Sequence, residues 1–496
     1  MATEAELKLR LAPQDHAALA ASPALAAVKP HRERLVSTYL DTPACEIVAA
    51  GMVLRLRRAG RRWIPGLKAA NAAGAGLHVR KEWEYPRRDA VIDLARFADT
   101  PLADLKDAAH LHERLVPAFT VDVKRTTWML EPAPGVRLEV ALDAGSVGSG
   151  ERSEAISELE IECIDGGADA AFELALRLLD DVALHPSSVT KAERGYRLYR
   201  RKQAEPAKAA PIELAETLTP ATAARRIVGA GLAQLQANEE GVLFSKDPEF
   251  VHQARIALRR TRSALRMFRG PIGEPQAKAW RDALGETAVA LGSARDWDVF
   301  ATETFRHLAA AHGDAALRKK IAAAIARERK SARASARAAL GSPTYARAMI
   351  ELARWLAHEG DDSIAPQALR DFAAATLGKR HKRLLRDAAH LASLPAPERH
   401  RVRIDAKRLR YGTDALESLF KPRRVRAHRK ALEALQDALG ATNDAATGAT
   451  LVPKLHAPED FAAFARGWLA ARAKGDAALL ESLIAALADA PRFWER

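Results

Sequence analysis

Cysteine is almost missing from this 496-residue chain, which holds only Cys45 and Cys163. Two thiols cannot build a disulfide framework, nor a metal site by themselves, so a reducing compartment is expected. Aromatic residues make up only 5 %, and alanine is abundant, which favours helix for at least part of the chain. No uninterrupted apolar stretch reaches the ~18 residues of a membrane-spanning helix, and no apolar run of signal-peptide length opens the chain. These absences point to a soluble cytoplasmic protein. At ~100–200 residues per domain, the length predicts two to four domains with real cores.

Charge is plentiful but uneven. Residues 1–200 hold 27 Lys+Arg and 29 Asp+Glu, a net of −2, which leaves 77 − 27 = 50 basic and 63 − 29 = 34 acidic residues for 201–496, a net of +16. The C-terminal part therefore attracts polyanions: nucleic acid, acidic lipid or polyphosphate.

The stretch "RRKQAEPAKAAPIELAETLTP" (200–220) is polar, proline-bearing and aperiodic. It reads as a linker at 201–219, between an N-terminal domain at 1–200 and a helical domain at 220–496. The first is rich in short alternating stretches; the second carries long Ala/Leu/Arg runs at helical spacing. The second also repeats itself. "HQARIALRRTR" from His252 matches "HRVRIDAKRLR" from His400, and "LGSARD" ending at Asp296 matches "LGATND" ending at Asp444. Both pairs are offset by 148 residues (400 − 252 and 444 − 296), which predicts two similar halves related by a pseudo-two-fold axis.

The N-terminal strands share an unusual pattern. In "TEAELKLRL", Glu4, Glu6, Lys8 and Arg10 alternate with Ala5, Leu7, Leu9 and Leu11, the period of a strand with two unlike faces. The same holds for Arg55 and Arg57; for Arg80, Glu82 and Glu84; for Arg137, Glu139 and Asp143; and for Glu158, Glu160 and Glu162. One such face alone is ordinarily a solvated surface. As a set, these faces are nearly pure charge, sorted into acidic and basic pairs. A barrel with them turned inward would gather carboxylates for a hard divalent cation and Arg/Lys forks for phosphates. In "FTVDVKRTTWML" the apolar phase changes between Val123 and Trp128, which suggests a bulge and leaves open whether Lys124 or Arg125 points inward.

These residues carry a resemblance. Glu4-x-Glu6-x-Lys8, "YLDT" at Tyr39–Thr42, "LRLR" around Arg55 and Arg57, Lys68, "ELEIE" from Glu158, and "SSVTKAERGY" with Lys191 and Arg194 together resemble the CYTH family, the triphosphate tunnel metalloenzymes. The resemblance implies an eight-stranded antiparallel β tunnel, triphosphate-bearing substrates and a required Mg²⁺ or Mn²⁺. By position, Glu4, Glu6, Glu158 and Glu160 resemble metal-facing carboxylates, and Glu82, Glu84, Glu139 and Asp143 are further catalytic candidates. Lys8, Arg55, Arg57, Lys68, Arg80, Arg125, Lys191 and Arg194 resemble phosphate clamps. "WIPGLK" departs from the pattern, with Gly66 where relatives tend to have Thr two residues before the clamp lysine.

In the helical half, His252, Arg255, Arg259, Arg262 and Arg266 step by 3, 4, 3, 4 along one face, as do His400, Arg403, Lys407 and Arg410. "LGKRHKRLLRD" adds Lys379, Lys382 and Arg386. Like charges at these spacings weaken a helix by ~0.2–0.5 kcal/mol per pair unless an anion intervenes. Few aromatics are present for base stacking, so inorganic polyphosphate fits better than nucleic acid. The repeated motifs resemble the CHAD family, which implies two four-helix bundles flanking a basic cavity, and polyphosphate binding. His252 and His400 read as phosphate contacts or helix-start residues rather than metal ligands, and Asp296 and Asp444 as groups that order the arginines.

The resulting expectation is an α+β multidomain protein that hydrolyses inorganic tripolyphosphate with a divalent metal and binds polyphosphate through its helices, possible granule association included. The alternatives are a non-catalytic polyphosphate-binding protein, or a tunnel enzyme acting on thiamine triphosphate or cyclising ATP.

Overall fold

The computed structural model describes residues 2–69, 73–74, 77–358 and 369–495; of these, the side chains of residues 2–5, 73–74, 77–80, 392 and 396 are not described. The chain forms two compact units, one of 1–205 with 341–358 and one of 206–340 with 359–496.

The first unit is one antiparallel sheet of β1 (Ala2–Arg10), β2 (His31–Asp41), β3 (Met52–Ala59), β4 (Arg62–Ala69), β5 (Ala73–Gly74), β6 (Leu77–Glu84), β7 (Val116–Ala133), β8 (Val136–Ser149), β9 (Arg152–Asp165) and β10 (His185–Pro186). Its order is β10-β1-β9-β8-β7-β2-β3-β4-β6-β5, and β1 also pairs with β6. That last pairing closes the eight long strands into a ring, the antiparallel tunnel expected. The sheet exceeds the eight strands expected by the two-residue β5 and β10 at its margins.

Two layers cover the outside of the ring. The outward leucines of β1, Leu7 and Leu9, are fully buried on the side where helix α1 (Asp169–Asp181) packs on β1, β8 and β9. Met52, Leu54 and Leu67 form a cluster with Phe97, Leu102 and Leu111 of the segment between β6 and β7. On the inner face, helix α2 (Lys191–Arg200) starts with a capping box between Thr190 and Glu193 and packs on β7, β8 and β9, its Tyr196 clustered with Leu35, Tyr39, Phe119, Val121 and Val123. A Cβ on Gly195 would stand 2.1 Å from the Phe119 ring, so only glycine lets α2 approach this closely.

The bulge expected between Val123 and Trp128 is absent. β7 pairs without interruption from Thr120 to Leu130 with β8, and its register shifts lie at Tyr39/Leu40 against β2 and at Leu130/Ala133 against β8. The apolar phase changes because the buried face changes. Val121 and Val123 line the interior, whereas Trp128 and Leu130 are buried on the other face.

The second unit is helical. Its main helices are α3 (Pro220–Phe244), α4 (Pro248–Met267), α5 (Gly285–Val299) and α6 (Ala315–Leu340), then, beyond the segment assigned to the first unit, α8 (Leu369–Asp387), α9 (Ala396–Leu416) and α10 (Pro422–Leu451). The intervening helix α7 (Pro343–Ala357) belongs to the first unit. There Arg354 donates to both carboxylate oxygens of Asp169, at 2.5 Å each, and Arg347 to Asp180 at 2.5 Å, fastening α7 to α1. The repeat occupies corresponding helices: His252 and His400 on α4 and α9, Asp296 and Asp444 on α5 and α10. No helix is long and apolar enough to cross a membrane among the described residues.

Candidate active site in the tunnel and basic surface of the helices

Strand register builds the site. Lys8 stands opposite Glu160 and Glu6 opposite Glu162 on β1/β9; Arg125 faces Asp143 on β7/β8; Asp143 faces Glu158 on β8/β9; Lys68 faces Glu82 on β4/β6. Each of the eight long strands contributes residues to one cavity of about 320 Å³.

On one side, Asp143, Glu158 and Glu160 converge, their oxygens within 4.8 Å of one another. Asp143 and Glu158 are 0 % exposed. Lys191 Nζ sits among them, 2.6 Å from Asp143, 2.6 Å from Glu158 and 2.8 Å from Glu160. Lys8 Nζ reaches Glu160 at 2.8 Å, Glu158 at 3.3 Å and Glu6 at 3.6 Å. Arg125 grips Asp143 with two bonds of 2.8 and 2.7 Å and Glu160 with one of 2.7 Å; Glu139 lies 4.0 Å away. Burial works against every charge here, but the opposite charges outweigh it: Lys8, Arg125 and Lys191 are held above their ordinary pKa values. Asp143, Glu158 and Glu160 are held below theirs.

Lys191 is the first residue of α2, where the helix dipole disfavours a cation. Its position is set by the three carboxylates rather than by the helix.

On the other side, Arg55 donates to Glu82 at 2.8 Å and Glu84 at 2.7 Å, and Lys68 lies 3.1 Å from Glu82. Burial raises the Glu84 pKa, but Arg55 and Arg57 outweigh it and bring it to about 2. Arg57 is 3.9 Å from Glu84; burial and the adjacent Arg55 leave it below its ordinary pKa, and its Nε is buried without a hydrogen-bond partner. Gly66 is accounted for here: a Cβ would meet Glu84 Oε1 at 3.0 Å and Arg55 Nε at 3.5 Å, so glycine leaves room for that pair.

Of the residues expected in the tunnel, Glu6, Lys8, Arg55, Arg57, Lys68, Glu82, Glu84, Arg125, Glu139, Asp143, Glu160 and Lys191 line the cavity. Glu158 is sealed beneath Lys8 and Lys191. Arg194 does not line the cavity; it lies farther along the inward face of β9, 3.8 Å from Glu158, 3.5 Å from Glu154 and bonded to the Ala155 carbonyl at 3.4 Å. Of β7's pair, Arg125 faces inward and Lys124 is exposed. Arg137 turns out to Asp165 at the surface. The side chains of Glu4 and Arg80 lie outside the described residues. Ser37, Tyr39 and Thr190 also line the cavity; a search by charge passes over them, although Ser37 and Tyr39 share the alternation of β2. The "YLDT" aspartate has a different task. Asp41 is fully buried and accepts from the Thr42, Ile47 and Val48 amides and from the Tyr196 hydroxyl, at 2.7–3.1 Å, tying α2 to the strand ends.

Three converging carboxylates are hard oxygen donors of the kind Mg²⁺ or Mn²⁺ takes. Glu158 Oε2 is buried with no hydrogen-bond partner, which suits a ligand atom. Net charge agrees. The cavity wall carries six cations (Lys8, Arg55, Arg57, Lys68, Arg125, Lys191) against seven carboxylates (Glu6, Glu82, Glu84, Glu139, Asp143, Glu160, Glu162) among the described residues. A polyanion is repelled from such a wall unless divalent cations accompany it.

In the helical unit the two copies of the basic motif meet. Lys407 of α9 faces Arg259, Arg403, Arg255 and Asp444, and burial followed by these arginines pushes its pKa down to about 6. Arg255 lies 3.6 Å from Asp296, whose pKa burial raises. His400 Nδ1 is 3.3 Å from Asn443 Oδ1; His252 Nδ1 is buried without a partner. Arg410 turns to Gln436, Asp414 and Glu433. Lys379, Lys382 and Arg386 line a separate groove with Trp494; Arg262 faces Asp282 and Arg281, and Arg266 faces Arg408, Arg281, Arg262 and Arg269.

Comparison with known proteins agrees with both halves. The family model of the CYTH domain matches residues 2–196 and that of the CHAD domain residues 226–453. An inorganic triphosphatase of Haemophilus influenzae is 31% identical over 200 residues, 40% of this chain; the chain spans about half of that relative, 55% of its length. The solved CHAD domain of the plant Ricinus communis is 31% identical with a TM-score of 0.52, covering 58% of this chain and 99% of that one. PptA from Streptomyces chartreusis is 19% identical with a TM-score of 0.42, covering 55% and 98% of the two chains. The chain is thus a CYTH–CHAD protein, a tunnel domain followed by a CHAD domain of the family seen in that plant structure.

Proposed function

We propose that the tunnel hydrolyses inorganic tripolyphosphate with a divalent metal, and that the helical unit binds long-chain polyphosphate. The observation that supports this reading most is the mutual pairing of the wall. Its cations and carboxylates neutralise one another, and a metal-bound triphosphate offers each set a replacement partner.

Asp143, Glu158 and Glu160 would hold the metal. When bound, it supplies positive charge against phosphate oxygens and makes water more acidic. The remaining work falls to the chain. Lys8, Lys191 and Arg125 on one wall and Arg55, Arg57 and Lys68 on the other grip the phosphates from opposite sides. Arg57, with an unpartnered Nε, has the most hydrogen-bonding capacity left for an oxygen. These fixed cations hold the phosphoanhydride in line and offset charge that spreads over the transferred phosphoryl group.

The inorganic triphosphatase of Haemophilus influenzae supports the substrate class; among the described residues the one aromatic lining the wall is Tyr39, already stacked on Phe119 at 4.4 Å, which leaves no aromatic pair there to hold a nucleoside base. In the helices, Arg255, Arg259, Arg403 and Lys407 converge from both repeats and would share one polyanion. The test is phosphate release from tripolyphosphate, ATP, thiamine triphosphate and long-chain polyphosphate, each with Mg²⁺ or Mn²⁺. Tripolyphosphate is expected to be the preferred substrate. No release from any of them, with polyphosphate still bound, would leave a binding protein only.

A further inference from the structure

The two halves of the helical unit differ where their register predicts likeness. At the 148-residue offset, Arg262, Arg266, Arg269, Arg281 and Gly285 correspond to Arg410, Asp414, Glu417, Arg429 and Glu433. The second half neutralises its arginines. Arg410 lies 3.8 Å from Asp414 and 3.4 Å from Glu433, and Arg429 pairs with Glu417 and lies 4.0 Å from Asp414. The first half has arginine in place of two of those carboxylates and glycine in place of the third.

The result is a crowd of like charges. Arg266 faces Arg408, Arg281, Arg262 and Arg269. Arg380 of α8 faces Arg408, Arg266 and Arg269 and donates Nη1 to the Arg408 carbonyl at 2.6 Å. Arg262 Nε donates to the Arg281 carbonyl at 3.2 Å. Bonds to backbone carbonyls fix these guanidinium groups without discharging them. The carboxylates present are engaged: Glu274 by Arg269 at 2.7 Å, Asp405 by Arg408 at 2.7 Å and Arg383 at 3.1 Å, Asp282 by Lys278 at 2.7 Å. Among the described residues no carboxylate stands within ion-pair distance of Arg262, Arg266, Arg281 or Arg380; Asp282, held by Lys278, is the acidic neighbour of Arg262 and Arg281, and Asp405, held by Arg408 and Arg383, that of Arg380.

We propose that Arg262, Arg266 and Arg281 of the first half, with Arg380 of α8 and Arg408 of α9, form a second oxyanion site, without a counterpart at the carboxylate-rich equivalent place of the second half, for a phosphate group carrying two or more negative charges. Guanidinium forks match phosphate oxygens in geometry as well as charge. Burial, then Arg408 and Arg266, bring the Arg380 pKa down to about 10; an anion relieves that repulsion. The site is distinct from the Arg255–Lys407 cluster, since Arg266 lies two turns, about 10 Å, beyond Arg259 along α4. The phosphate is either free, as pyrophosphate, or the end of a polyphosphate chain held at that cluster. Neither source depends on the reaction in the tunnel.

The test is calorimetric titration of the full chain with pyrophosphate, and separately with long-chain polyphosphate, in chelator-treated buffer. The informative variant is Arg266→Asp with Arg269→Glu, which copies the residues of the second half; Arg266→Gln is the milder companion, with circular dichroism to verify folding. The site predicts at least a tenfold loss of pyrophosphate affinity in both, with retention in an Arg255→Ala, Arg403→Ala variant. A loss seen only with long-chain polyphosphate assigns the site to a chain end. Unchanged affinity for both ligands in the folded variants overturns the proposal. Loss of the same pyrophosphate site in Arg255→Ala, Arg403→Ala also overturns it, because the two clusters would then be one.

Discussion

Lys191 Nζ lies 2.6 Å from Asp143 and 2.6 Å from Glu158, at the centre of the carboxylates best placed to hold a metal. An ammonium and a divalent cation compete for such a centre. Replacing Lys191 with Met removes the competitor and one phosphate clamp together. Mn²⁺ is expected to bind the substrate-free variant about tenfold more tightly, ~1.4 kcal/mol, while KM for tripolyphosphate rises. Calorimetry with Mn²⁺ alone separates the two effects; weaker Mn²⁺ binding would refute the competition.

Polyphosphate binding should take up a proton. Lys407, with its pKa at about 6, is neutral at pH 7 in the free protein, and a bound polyanion raises that value. Affinity therefore falls as pH rises above about 6 toward the pKa of the bound form. Arginine at this position stays charged, so Lys407→Arg removes the uptake. Titrations in buffers of different ionisation enthalpy count the protons; equal uptake in the variant would contradict the assignment.

Acid should loosen the helical unit through His428. This imidazole is fully buried, its two ring nitrogens lack partners, and burial and then His381 bring its pKa to about 4. The unfolded chain, with an ordinary His pKa near 6.5, binds the proton first as pH falls. Stability is therefore complete above about pH 6.5 and is lost progressively down to about pH 4, by up to about 3 kcal/mol. His428→Phe should flatten the pH dependence of the thermal midpoint over that interval.

Gly195→Ala provides a packing test. In an open helix this change stabilises by about 0.5–1 kcal/mol. Here the new methyl would stand 2.1 Å from the Phe119 ring, and overpacking of that kind costs about 1–3 kcal/mol. The predicted sign is a lower melting temperature; a higher one would mean that α2 can move away from β7 at little cost.

Much of the tunnel was legible because strands alternate. Glu6 with Lys8, Arg55 with Arg57 and Glu82 with Glu84 share faces by period alone, and their charge sorting separated a lumen from a solvent surface. Ser37 and Tyr39 obey the same period but carry no charge to mark them. Trp128 misled for a related reason: a wall covered on its outside is apolar on both faces, so a change of apolar phase need not be a bulge. In the helices, the 148-residue repeat identified the stripes that meet at Lys407. It could not show where one stripe ends. Arg255 and Arg259 face Arg403 and Lys407 of the second copy, whereas Arg266 faces Arg408 of that copy and Arg380 of α8, a helix more than a hundred residues away that lies outside both motifs. Helix α7 was hidden too, because its docking on α1 rests on Arg354 and Asp169, pairing distant segments with ordinary surface sequences.

The central claim is that paired carboxylates and cations in the tunnel await a metal-bound triphosphate. Its most direct test is the rate of phosphate release from tripolyphosphate by the full chain with Mg²⁺ or Mn²⁺, with chelator, and in Glu160→Gln. Metal-dependent release is predicted, abolished by chelator and reduced at least a hundredfold, ~2.7 kcal/mol of barrier, in the variant. Release that persists in chelator, or a Glu160→Gln protein as active as the parent, would contradict it.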